Sequence, residues 1–369
     1  MRKNNILSII IPILLFFIIS IILLLSNNID PSNLYIKQII WFIIGFILIF
    51  VIYKFNLKRI YNNIHYLYIF LNIILLLLLI FGKEINNSKC WITFFDINIQ
   101  PSEFMKIVII IYNSKLINEF KIKYKNPNNK EELLFLFKIF FITFIPSFLT
   151  FLEPDTGNVI VYLVITITML FISGIRYRWF IIILIILLLL ISFIFFLYFY
   201  NQKIFIDILG NSFFLRIDRL LEWNNKSGYQ LNNSLSSIGA SGLFGLKYTP
   251  LYFPESNTDF IFTILASNYG FIFSLFFIIL IFLFDYNLLK IAFKTNKFIN
   301  KYIIIGISSM IIFSQFQNIG MTFSILPIMG ITLPFISYGG SSLITYMICI
   351  GIILNIEKKF INKNQYFSN

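Results

Sequence analysis

The sequence predicts an all-α, polytopic membrane protein with about ten transmembrane helices. Three observations carry that prediction. Hydrophobic residues make up 59% of the 369-residue chain and charged residues only 12%, about half the charged share of an ordinary soluble domain. The apolar residues come in long runs, such as Ile181 to Phe199, close to the ~20 residues a helix needs to cross a bilayer. The alternation expected of a membrane β-barrel is absent. Heavy use of Ile, Phe, Asn and Lys reads as AT-rich codon bias and carries no function.

In order, the spans fall at roughly 5–25, 36–53, 64–82, 102–117, 135–152, 158–175, 179–200, 259–284, 301–323 and 339–356. The first run, Ile6 to Leu25, is too long for a signal-peptide core and lacks a small-residue cleavage site, so it counts as a span. The fourth, fifth and ninth spans carry polar residues. Ile325 to Ser337 is apolar but broken by Pro327, Gly330 and Pro334. It reads as re-entrant or irregular, which is allowed only inside protein or against a cavity. The segment 201–258 is too long for a simple connector. Its first part, Phe205 to Trp223, mixes Phe213, Phe214, Leu220 and Leu221 with Arg216, Asp218, Arg219 and Glu222, as an interfacial helix does. Its second part, Gly239 to Gly245, reads as a close-packed turn. Residues 1–369 form one membrane domain with 201–258 as its large loop.

The positive-inside rule puts both termini in the cytoplasm. The basic clusters at 54–59, 115–138, 290–301 and 358–363 then lie inside, and most acidic residues lie outside. The net charge of +13 belongs to the cytoplasmic face, where it meets anionic membrane lipids. Nothing points to nucleic acid. Cys90 and Cys349 lie in different segments and read as free thiols. The one histidine, His65, falls on the inner side. That excludes multi-histidine metal sites and Ser-His-Asp triads.

Four polar clusters fall at outer span ends. The first is Lys89-Cys90-Trp91, then Gln100-Pro101-Ser102-Glu103 and Lys106. Pro at a helix start with an acid in the first turn is also ordinary helix chemistry. The second is Glu153-Pro154-Asp155-Thr156-Gly157, which a capped turn would also explain. The third runs from Tyr229-Gln230 through the glycine turn to Glu255 and Asp259. An aspartate at the lip of a membrane helix is costly without a use. Partial loss of water makes it a better base. The fourth joins Asn318-Ile319-Gly320-Met321 to Leu333 through Ser342, including Ser337 and Ser341. Together the four suggest an outer-leaflet site fed from the lipid phase.

Gln100-Pro101-Ser102-Glu103, Pro154-Asp155-Thr156-Gly157, Thr258-Asp259-Phe260-Ile261-Phe262 and Leu333-Pro334-Phe335-Ile336-Ser337-Tyr338-Gly339-Gly340-Ser341-Ser342 resemble the signature motifs of the SEDS family (shape, elongation, division and sporulation). The resemblance covers nearly the whole chain, and its details look more like the elongation branch, RodA, than the division branch, FtsW. It implies a peptidoglycan glycosyltransferase of the bacterial cytoplasmic membrane that polymerises lipid II. Asp259 matches the essential aspartate, the candidate base, with Glu255 as supporting acid. Glu103 and Lys106 match polar residues of the cavity floor. Lys89, Trp91, Asp155, Arg216, Arg219, Gln230, Ser337 and Ser341 are candidate substrate or pyrophosphate contacts. No organic cofactor is implied. A divalent cation, Mg or Mn, could assist the pyrophosphate, with no ligand set named. The expected partner is a class B penicillin-binding protein, and Gly306, Ser308 and Ser309 would let helices approach closely. A lipid II flippase is the competing class. The chain departs from the family pattern at Ser267 and Asn268, where two acids are usual, at Cys90 and at Asn158.

The charge asymmetry makes a topological prediction. Cysteines placed at Asn128 and Asn232 in a Cys-free background should be labelled from opposite sides of the membrane. Labelling of both from one side would remove the shared-face argument.

Overall fold

Long apolar runs become long helices. The computed structural model describes residues 3–29, 33–82, 88–94, 97–210, 213–214, 217 and 228–365. The elements, in order, are α1 (Lys3–Ser26), α2 (Leu34–Lys54), α3 (Leu57–Phe81), β1 (Ile92–Phe94), β2 (Ile97–Ile99), α4 (Pro101–Lys123), α5 (Asn129–Leu152), α6 (Thr156–Ile172) and α7 (Tyr177–Tyr200). They continue with α8 (Gln202–Leu209), α9 (Tyr229–Ala240), α10 (Ile261–Lys294), α11 (Phe298–Thr322) and α12 (Gly340–Gln365). Eight of these helices are long and apolar enough to cross a membrane, and α6 is a shorter apolar helix. The chain is thus a multi-pass membrane protein. α4 has the length, but it carries Glu103 and Lys106 and is buried on most of its faces.

α4, α11 and α12 form the centre. α1 presents Ile9, Ile13, Phe16, Ser20 and Leu23 along one buried face, the 3–4 spacing of a helical stripe. Phe16 meets Phe277 and Phe284 edge-on, with ring centroids 6.1 and 5.6 Å away, and stacks on Phe335 at 6.0 Å. α2 lies along α12, where Gly45 leaves room for the Met347 side chain. Polar pairs tie the helices where lipid offers no hydrogen bond. Asn113 donates to Thr166 Oγ1 (3.1 Å), which also pairs with Thr143 (2.9 Å). Pro146 lacks an N–H for the carbonyl of Ile142. The Tyr68 hydroxyl on α3 donates to that carbonyl instead, at 3.1 Å.

α7 stands apart from the bundle. It is exposed along its length, with Tyr198 its one buried residue. It is tethered at its start, where Glu132 accepts from Trp179 Nε1 (2.7 Å) and pairs with Arg176 (3.5 Å) and Arg178 (3.7 Å).

Two expectations need correction, the end of the eighth span and the packing of Gly306 and Ser308. In the stretch expected to be an interfacial helix, α8 is followed by Gly210 at φ +84° and Phe213, Phe214 and Ile217 are again helical; Arg216, Asp218, Arg219 and Glu222 lie outside the described residues. The eighth span does not stop at 284. α10 runs to Lys294, and its helix is broken at Gly270. Asp285 therefore lies inside a span, where a Gln315 amide turned to donate reaches it at 2.7 Å. Gly306 and Ser308 do not face a partner: Gly306 packs against Ile110 and Met169, and Ser308 is fully buried. The stretch from Ile325 to Ser337 is non-helical, as its prolines and glycine dictate.

Candidate functional site

Three consecutive carbonyls fix the segment that carries Asp259. The Tyr338 amide donates to Asn257 O (2.9 Å), Ser337 Oγ to Thr258 O (2.5 Å) and Asn318 Nδ2 to Asp259 O (2.9 Å). Asn318 gives its other amide hydrogen to Ile331 O (2.8 Å). From the end of α1, Asn27 reaches Asn257 Oδ1 (2.7 Å) and Ser256 Oγ (2.9 Å). The backbone of this turn is bonded into α11 and the irregular stretch before α12, and its side chains to Asn27 just after α1. Its carboxylate has no hydrogen-bond partner among the described residues. Gly330, at φ +65°, faces Asp259 Oδ2, and even a methyl group there would stand 3.7 Å from that oxygen.

The Asp259 side chain is half-buried. Loss of water, and then the nearby charge of Glu255, push its carboxyl up to about 7. Both effects disfavour the charged form. Glu255 is exposed, sits at φ +57° and accepts from Thr258 Oγ1 at 2.7 Å.

Asp155 organises the junction of the first two motifs. Its Oδ2 accepts from Gln100 Nε2 (2.6 Å), Ser102 Oγ (3.0 Å) and Asn158 Nδ2 (2.7 Å). Its Oδ1 caps α6 through Asn158 N (3.2 Å). Ser341 extends the junction to α12: its Oγ accepts from Gln100 N (3.0 Å) and donates to Asn98 O (3.3 Å). Glu103 and Lys106 form a 2.7 Å ion pair one turn apart on α4, with side chains 8% and 2% exposed. That exposure makes the pair a buried one.

Glu153 has no such partners. It is fully buried, and neither carboxyl oxygen has a hydrogen-bond partner. Burial first, and Asp155 second, push it up to about 8, so it carries a proton at neutral pH. The Cys90 thiol is buried as well and pushed up to about 12 by loss of water, which leaves it a poor nucleophile.

The structure thus divides the sequence candidates. Asp259 and Glu255 adjoin, and Glu103 pairs with Lys106. Asp155, Ser337 and Ser341 have their oxygens engaged internally and act as struts. Lys89, Trp91 and Gln230 are half-buried and make no side-chain hydrogen bond or ion pair among the described residues. Arg216 and Arg219 fall outside those residues. Sequence reasoning missed Asn27 and the role of Asn318, because asparagine is abundant throughout this chain and a single one carries little signal.

A family model described as cell cycle protein, covering FtsW, RodA and SpoVE, matches residues 3–361. The chain belongs to the SEDS family. A probable peptidoglycan glycosyltransferase FtsW of Coxiella burnetii is 32% identical over 88% of this chain and 87% of its own length. Stage V sporulation protein E of Bacillus subtilis is 31% identical, covering 75% of this chain and 73% of the relative. Two solved structures share the fold. One, from a peptidoglycan synthase complex, has a TM-score of 0.79 at 22% identity over 95% of this chain and 97% of its own. The other, Thermus thermophilus RodA, has a TM-score of 0.68 at 22% identity over 95% and 96%.

Two predictions follow from the geometry of this SEDS protein. Glu103→Ala and Lys106→Ala should each cost about 3–5 kcal/mol, because each strands a buried charge. The double variant should cost less than the sum in thermal unfolding; strict additivity would show the pair is uncoupled. Glu153 is an acid whose folded-state pKa is raised, so holding its proton destabilises the fold increasingly as pH rises from about 4.5 towards 8. Glu153→Gln should therefore raise stability at pH 7 by on the order of 2–3 kcal/mol. That gain should vanish near pH 4.5, and a gain independent of pH would contradict the assignment.

Proposed function

We propose that this chain is a peptidoglycan glycosyltransferase of the bacterial cytoplasmic membrane. In this reading it joins lipid-linked disaccharide-peptide units at the outer leaflet, the side on which the charge asymmetry of the sequence puts all four motifs. The observation that carries the reading is Asp259: a carboxylate without a hydrogen-bond partner among the described residues, pushed up to about 7 and set in a backbone cradle of three bonded carbonyls. A base of that strength suits a sugar hydroxyl near neutral pH. The names of the relatives supply the substrate class.

In the mechanism, the 4-hydroxyl of incoming lipid II approaches Asp259 and loses its proton as the oxygen bonds to the anomeric carbon of the growing glycan. The undecaprenyl pyrophosphate of that glycan departs. Lys89, half-buried and on the outer side by the charge asymmetry, is the cation proposed to meet the departing charge. Among the described residues no three His, Cys, Asp or Glu side chains converge as a metal site. Glu255 is exposed and could share a divalent cation with the pyrophosphate oxygens, which supply the remaining ligands in such sites. That cation would neutralise charge on the leaving group.

Different observations favour the two branches. The details of the motifs favour an elongation role with RodA. The 32% identity to FtsW proteins favours division. Depletion separates them, since loss of elongation rounds cells and loss of division makes filaments. The likeness to a chain of a synthase complex in which polymerisation and crosslinking are coordinated supports a transpeptidase partner, a class B penicillin-binding protein. A flippase would make no polymer from lipid II in detergent.

The deciding measurement is polymer formation by the purified protein. Asp259→Asn should fold normally and lose about 10²–10⁴-fold in rate. If Asp259 were only a helix cap, Asn would serve nearly as well, so near-normal synthesis rejects the assignment. The wild-type rate should rise with pH through about 7 as Asp259 loses its proton. Glu255→Gln removes a like charge, lowers that pKa and should move the limb to lower pH; an unmoved limb would separate Glu255 from the base.

A further inference from the structure

α10 is two helices in series. Residues 261–268 are all buried. At Gly270 the backbone turns to φ +75° and ψ −173°, a conformation essentially reserved for glycine. Helix resumes at Phe271, which is exposed together with Ile272. In a continuous helix, Phe271 N–H would donate to Ser267 O and Ile272 N–H to Asn268 O. The break parts both pairs, and the turn after α9 takes up all four groups. Phe271 N donates to Gly242 O (3.1 Å) and Ile272 N to Leu243 O (3.2 Å). Ser267 O accepts from Leu246 N (2.9 Å) and Asn268 O from Lys247 N (3.1 Å).

The fit tolerates no side chain at two points. A Cβ on Gly245 would overlap the Asn268 carbonyl, and one on Gly270 would overlap Leu243 O and Gly245 N. Thr249 buttresses the turn. Its Oγ1 pairs with Ser267 Oγ (2.8 Å) and Asn268 Oδ1 (3.0 Å), and its main chain pairs with the Asn28 side chain at 3.0 and 2.8 Å.

We propose that this joint is a positioning element for Asp259: the 242–247 turn, seated in the gap at Gly270, holds α10 broken and thereby sets where Asp259 stands. The proposal rests on the reading of Asp259 as the base. The four backbone groups pair with the turn here, and in a continuous helix they would pair with each other. Asp259 lies just ahead of the first half-helix, and the turn grips its far end. Nine helical residues make a lever about 13 Å long, so ten degrees of change at Gly270 moves the carboxylate about 2 Å. A misplacement of about 1 Å at a reacting group can cost 10²-fold in rate.

The test uses the full-length purified protein, lipid II polymerisation and backbone hydrogen exchange. Thr249→Val removes both Oγ1 bonds and keeps the side-chain shape. It should speed exchange at the Leu246 and Lys247 amides and lower kcat by about 10- to 100-fold with KM unchanged. Thr249→Ser should restore both. Gly245→Ala, checked for folding by thermal unfolding, should loosen the joint further and lower kcat more. Faster exchange with unchanged kcat, alongside an inactive Asp259→Asn, overturns the positioning role and leaves the base in place. A loss that appears in KM, or that Ser does not restore, marks a merely structural role and also overturns it. So does unchanged exchange in both variants. An Asp259→Asn protein that still polymerises removes the base and this proposal together.

Discussion

A bilayer offers no water to a backbone group, so each departure from helix must be answered from within the protein. The motif-bearing end of this bundle contains several such departures, and its polar residues are distributed accordingly. Asn318, Ser337 and the Tyr338 amide answer the carbonyls of Asn257, Thr258 and Asp259. Ser341 answers Gln100 N at the start of α4. The glycine turn answers α10 at its break. Most of the polar motif residues serve the backbone. The consequence is a rigid rim in which few functional groups remain uncommitted.

That economy sorts the acids. Glu103 is neutralised by Lys106. Asp155 has both carboxylate oxygens committed to four hydrogen bonds. Glu153 holds its proton near neutral pH but is fully buried, so no substrate hydroxyl reaches it. Among the described residues Asp259 alone combines an uncommitted carboxylate, partial exposure and a pKa of about 7. The assignment of the base therefore follows from elimination among environments as well as from the motif.

The helices were legible in the sequence because periodicity and length are local properties. Pro327, Gly330 and Pro334 announced the irregular stretch for the same reason. The break at Gly270 was not legible. A lone glycine in an apolar run is tolerated by a helix, and only the turn at 242–247, distant in sequence, makes the break affordable. The extent of α10 was misjudged because Asp285 looked like the end of a span, whereas Gln315 on another helix shelters it. Of the site, the carboxylates and the Glu103–Lys106 pair were readable from residue type and spacing. The struts were not, since Asp155 and Ser341 look the same in sequence whether they face a ligand or a backbone amide.

The departures at Ser267 and Asn268 can be placed on the same physical footing. They sit at the C-terminal end of the first half-helix of α10, the negative end of its dipole, where added carboxylates would be disfavoured. Here they are neutral and buried. Asn268 donates to Ser26 O (3.0 Å), and both accept contacts from Thr249. Asp259 lies at the opposite end of that half-helix, about 13 Å away along its axis. The substitutions therefore alter the joint with the glycine turn and the end of α1, while the cradle and the charge environment of Asp259 are built from other residues. Their effect on the chemistry passes through geometry, by the position of the half-helix, and not through a missing acid.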